Sequence, residues 1–211
     1  MSDALAGFLD AARGATALLA DPAVAARWDQ PSVLPAFSVA GLAGHLLRGM
    51  TAVERYMDGP EPEGSPLRAP QYFHVVGVSP DVDAPGNVAV RARGEETAAE
   101  GPGAVAARAA ATLPRLSERL GRTDLGRRIS VFGGVVISVG EYLRTRVVEL
   151  AVHGDDLALS VGAPTPAFAD DTLQIAVDVL VAVAGVRHGR LAVLRALARR
   201  ERDTAEALRV L

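Results

Sequence analysis

The chain has 211 residues, 49% of them apolar, which is enough to bury the core of one domain and argues against disorder. Its formal net charge of -3 leaves no basic field to draw in nucleic acid or an anionic membrane surface. With no cysteine it forms neither a disulfide nor a thiolate metal site, so any thiol chemistry needs a thiol brought from outside.

The N-terminal stretch MSDALAGFLDAARG carries Asp3 and Asp10 and lacks the basic-then-apolar order of a signal peptide. Leu5, Phe8, Leu9, Ala12, Ala15 and Leu19 recur at helical spacing, predicting a first helix that stops near Asp21 and Pro22. A second helix is expected after Pro35, with Ser38 as N-cap, running to Gly59 and Pro60. Six prolines between 59 and 93 predict a long connection, with short extended pieces at YFHVV and NVAVRA. Val105, Ala109, Leu113, Leu116 and Leu120 mark a third helix, in which Pro114 introduces a kink or resets the start. RISVFGGVVIS reads as a small hairpin turning at Gly133 and Gly134.

The fourth helix covers about 140–160, and GAPTP then breaks the chain. Two more helices are expected, near 170–186 and 189–210. The longest apolar run, 175–186, is interrupted by Asp178 and falls short of the roughly 20 residues a membrane span needs. A cytoplasmic protein is the expectation.

Four main helices with one long crossover predict a bundle, whose inward side chains are where a metal or ligand site is built. At about 100° per residue, Tyr142, Arg146, Glu149, His153 and Asp156 share one stripe of the fourth helix, flanked by Val148, Leu150 and Val152. Ionisable groups beside a buried region need a counter-charge, either a divalent cation or an Arg146–Glu149 pair. On the second helix, His45 shares its face with Gly41, Gly49, Ala52 and Tyr56, small residues that predict room above the imidazole. His45, Glu149 and His153 would give a metal three protein ligands and an open position, the pattern of catalytic zinc. Gly41, Gly49, Ala52, Tyr56 and Tyr142 are the expected lining of the cofactor and substrate pocket.

Two blocks carry a family resemblance. WDQPSVLPAFSVAGLAGHLL supplies Trp28, Pro31, Ser32, Ser38, Val39, Leu42 and His45; EYLRTRVVELAVHGDDLA supplies Thr145, Arg146, Glu149, His153, Gly154, Asp156 and Leu157. Together they resemble the mycothiol-dependent maleylpyruvate isomerase N-terminal domain family, a branch of the DinB-like metal-dependent bundles. The resemblance implies an all-α, DinB-like four-helix bundle over 1–162, with a C-terminal helical extension over 163–211 packed on it. It also implies that His45, Glu149 and His153 hold a divalent metal, most often zinc, with a low-molecular-weight thiol such as mycothiol as cosubstrate. Two departures stand out: Gly44 where alanine is usual, and Asp155 where a bulky aromatic is common.

The expected activity is metal-dependent thiol S-transfer or isomerisation, with Arg146 holding an anionic group of the substrate. The residues alone also admit a non-catalytic metal-binding regulatory or interaction protein, and a metal-dependent hydrolase using bound water. Expected partners are a small-molecule substrate and a thiol, without nucleic acid or membrane; a homodimer is the assembly considered. His74 and His188 read as surface histidines, the run RALARRER as a solvated helix face, and Asp156 as either a partner that orients His153 or a helix-capping residue.

Overall fold

The computed structural model describes residues 3–76, 81–198 and 208–210. Helix α1 (Asp3–Leu19) buries Leu5, Phe8, Ala12, Ala15 and Leu19, the positions whose spacing predicts it. Asp21 and Pro22 end that helix and also begin another, α2 (Pro22–Ala26). The Asp21 carboxylate accepts from the Ala23 amide at 2.8 Å, and proline suits the first helical position because no amide is needed there.

Helix α3 (Val39–Met57) starts where its N-cap dictates. The Ser38 hydroxyl accepts from the Gly41 amide at 2.8 Å and donates to Glu95 at 2.6 Å. Ser38→Ala removes both bonds and is expected to cost about 1 kcal/mol, or roughly 2–4 °C in Tm. Thermal unfolding followed by circular dichroism checks this, and an unchanged Tm would mean that water replaces the cap without loss.

The long connection is helical where extended pieces are expected. All but the last residue of YFHVV belongs to α4 (Ala69–Val75), whose buried Tyr72 and Phe73 favour strands by propensity alone. Capping overrides that preference: Gln71 accepts from the Arg68 amide at 2.9 Å, and Glu141 accepts from the Ala69 amide at 2.8 Å. NVAVRA lies in α5 (Pro85–Ala98), which buries only Gly94 and Ala98. A helix that docks through residues this small leaves no apolar periodicity to read.

Helix α6 (Pro102–Gly121) starts before Val105 and carries Pro114 in its interior, so that proline does not reset the start. The hairpin forms as expected, β1 (Arg128–Val131) pairing antiparallel with β2 (Val135–Ser138) in the register Ile129 to Ile137 and Val131 to Val135. Gly133 and Gly134 turn the chain at φ of 73° and 76°, where a Cβ would be strained. Helix α7 (Val139–Val161) follows directly, capped by Ser138 and ended by Gly162 at φ 70°.

Helices α1, α7, α3 and α6 pack in a ring, each against the next, and form a four-helix bundle. Phe8, Leu42, Leu46, Leu116 and Leu150 are fully buried in its centre. The connection between α3 and α6 lays α5 along α3. Helix α8 (Asp170–His188) packs on α1, α4 and α7, and α9 (Arg190–Ala198) packs on α8. Most of the remainder of the helix expected to reach 210 lies outside the described residues.

Candidate metal centre

Helix α3 brings His45, and helix α7 brings Glu149 and His153, to one point on the inner side of the bundle. Their ligand atoms all lie within 4.8 Å of one another. The His45 and His153 rings meet edge to face with centroids 4.8 Å apart. Glu149 Oε2 stands 3.2 Å from His45 Nε2 and 3.6 Å from His153 Nε2. A tetrahedral ion with arms of about 2.1 Å has ligand-to-ligand edges of about 3.4 Å, which the two Glu149 distances match; the whole set, within 4.8 Å, is wide enough to admit a zinc-sized cation. The side chains of the three residues retain 19%, 19% and 21% of their exposure, which leaves the point reachable from solvent.

The surrounding residues fix these donors. The Asp156 carboxylate sits 3.0 Å from His153 Nδ1, so Nδ1 donates to it and the ring is turned with Nε2 toward Glu149. Asp156 is therefore the partner that orients His153. Burial opposes charge on His153, but the Asp156 hydrogen bond and the nearby Glu149 charge outweigh it and raise its pKa. Burial dominates at His45 and lowers its pKa despite the Glu149 bond. At Glu149 burial works against ionisation, yet the His45 hydrogen bond and the Arg146 charge hold it well below the ordinary carboxylate range. The cluster presents an ionised carboxylate beside one histidine kept neutral, and a cation bound there would take the place of any proton on His153 Nε2.

Arg146 is almost completely buried. Its Nε donates to Thr145 Oγ1 at 3.1 Å, and that hydroxyl donates to the Tyr142 carbonyl at 2.7 Å. The guanidinium lies 4.8 Å above the Tyr142 ring and 4.0 Å from Glu149 Oε1, an ion pair at the edge of reach. Tyr142 meets Tyr56 edge-on at 5.6 Å and Tyr72 at 6.2 Å.

The structure corrects the expected room above His45 at two positions. A Cβ on Gly41 would come 2.5 Å from Glu95, and one on Gly49 would come 2.9 Å from Leu150. These glycines serve helix packing and do not open a cavity. Ala52 and Tyr56 are half-buried on the same side of α3, with Tyr56 beside Tyr142. His74 and His188 are exposed and stand apart from the cluster.

Two neighbours escape the sequence reading. Phe37 reaches a centroid distance of 6.1 Å from His45, and its place just before the N-cap is the signal that could have found it. Tyr72 arrives from α4, in a stretch that reads as extended, so nothing local marks it.

No curated protein matches the chain. Among solved structures it is similar to the crystal structure of the mycothiol-dependent maleylpyruvate isomerase, with a TM-score of 0.52 over 85% of this chain and 69% of that one. At 16% identity this is a likeness of fold. The family model for the mycothiol maleylpyruvate isomerase N-terminal domain matches residues 8–158, spanning both blocks that carry the cluster. The chain belongs to the mycothiol maleylpyruvate isomerase N-terminal domain family.

Proposed function

We propose that this protein is a divalent-metal-dependent enzyme, with zinc the preferred ion, that uses a mycothiol-type thiol for S-transfer to, or isomerisation of, a small electrophilic substrate. One observation carries the reading: two histidine nitrogens and a carboxylate oxygen from two helices converge within 4.8 Å of one another while their side chains remain about a fifth exposed. The family and the fold of its solved relative support the thiol, and a chain without cysteine has none of its own.

His45, Glu149 and His153 would hold the ion, which supplies a Lewis acid able to keep a coordinated thiol as thiolate near neutral pH. Asp156 orients His153 through Nδ1 and so keeps its Nε2 available. Arg146, fixed by Thr145 and by the Tyr142 ring, would take a carboxylate of the electrophile and set its reactive carbon beside the thiol. The division into a bundle over 1–162 and an extension over 163–211 belongs to the same proposal, with α8 covering one side of the bundle.

Cobalt tests the thiol. Titrating mycothiol, or a simpler thiol, into cobalt-loaded protein should raise a sulfur-to-metal charge-transfer band in the near ultraviolet. His45→Ala should show none. An unchanged spectrum from protein that holds its cobalt would overturn the thiol reading in favour of a metal that only stabilises the bundle.

A further inference from the structure

Among the described residues, Arg48, Arg55 and Arg93 lie along one flank of α3 and none of them forms an ion pair. Arg48 is half-buried and follows His45 by three residues. Arg55 lies seven residues, about two turns, further along the same side and is exposed. Arg93 comes from α5, which is held against α3 by the close approach of Gly94 to Gly41 and Gly44. Other arginines in this part of the molecule are neutralised: Arg115 pairs with Glu54 at 3.1 Å, Arg119 with Asp58 at 2.8 Å and Arg128 with Glu61 at 3.0 Å. Among the described residues, none of Arg48, Arg55 and Arg93 has a carboxylate within ion-pair reach.

The contacts of Arg55 and Arg93 are aromatic. Arg55 donates to the Tyr56 hydroxyl at 2.9 Å and lies 4.7 Å from the centre of that ring. Arg93 lies 5.4 Å from the centre of the Phe132 ring, at the exposed tip of the hairpin. Burial and the neighbouring charges of Arg55 and Arg93 destabilise the charged form of Arg48; Glu96 and Tyr56 offset this only in part. Like charges gathered at a half-buried position need a counter-ion, and a guanidinium fork matches the two oxygens of a carboxylate or phosphate. The cluster also adjoins the metal centre through a chain of contacts. Tyr56 packs on Tyr142, Arg146 sits over Tyr142, and Arg146 reaches Glu149.

We propose that Arg48, Arg55 and Arg93 form an oxyanion subsite for the carboxylate or phosphate group of a small, multiply charged molecule. The other end of that molecule points along Tyr56 toward His45, Glu149 and His153. The direction rests on the proposed function; the subsite itself does not. Arginines in such forks discriminate oxyanions by geometry, so this cluster selects the anionic end of a substrate while the metal centre acts on the other.

Isothermal titration of succinate and of inorganic phosphate tests it, using full-length protein freed of metal and dialysed clear of chelator. Saturable binding of either anion is expected, phosphate preference marking a phosphorylated ligand and succinate preference a dicarboxylate. Arg48→Gln and Arg93→Gln should each weaken binding about tenfold, and added sodium chloride should weaken it further. Arg115→Gln, whose arginine is already paired, should bind as the parent does. Absence of saturable binding, or parental affinity in both Arg48→Gln and Arg93→Gln, overturns the subsite. Since no metal is present, a failure of the cobalt experiment leaves this result standing, and a failure here leaves the cobalt band untouched.

Discussion

Glu149→Gln is expected to abolish stoichiometric zinc binding while leaving the bundle folded. The substitution keeps the side-chain volume and replaces the ionised oxygen that stands between the two imidazoles, 3.2 Å from one and 3.6 Å from the other. Without that charge, two imidazoles remain beside the cationic Arg146, which repels a divalent ion. His45→Ala and His153→Ala should behave alike. Asp156→Asn, which disturbs only the orientation of His153, should weaken zinc by about 10–100-fold. His74→Ala and His188→Ala should leave it intact, because both residues are exposed and apart from the cluster. Elemental analysis after zinc loading and dialysis, with circular dichroism as the folding control, decides the matter. A full equivalent of zinc retained by Glu149→Gln or His153→Ala would end the metal assignment.

The meeting of His45, Glu149 and His153 is legible in the sequence because each sits on a long helix whose period shows. Glu149 and His153 are one turn apart, and Ser38 sets the start and therefore the phase of the helix that carries His45. What sequence alone does not reveal is how the crossover packs. Tyr72 lies in a stretch whose aromatic and β-branched residues argue for a strand, and the carboxylate that helps cap its helix, Glu141, is remote in sequence. The three arginines of the oxyanion cluster are split between α3 and α5, and only tertiary packing brings them together. Gly41 and Gly49 read as room above a histidine because a missing side chain looks the same whether a ligand or another helix fills the space. Here Glu95 and Leu150 fill it.

That ambiguity makes Gly44 the most informative packing position. A Cβ there would overlap the carbonyl oxygen of Gly94, and a Cβ on Gly94 would overlap the carbonyl oxygen of Gly41. Both obstacles are backbone atoms, so neither clash can be relieved by a rotamer change. The α3–α5 crossing must widen. Gly44→Ala is therefore expected to destabilise the protein by about 2 kcal/mol, the overpacking cost outweighing the gain of roughly 1 kcal/mol in helix propensity. In a chain of this size that is a fall of roughly 4–8 °C in Tm. Gly103→Ala is the matched control: it lies in α6 with nothing within 4 Å of its added carbon, and propensity should stabilise it slightly. If α5 instead lifts away alone, Tm will move little, but the α5 amides will lose protection from hydrogen exchange. Because Gly44 precedes His45 and Gly94 follows Arg93, widening the crossing also separates the arginines, and anion affinity should fall with it. A Gly44→Ala protein with parental Tm and parental α5 protection would show that α5 does not lie on α3 at these glycines.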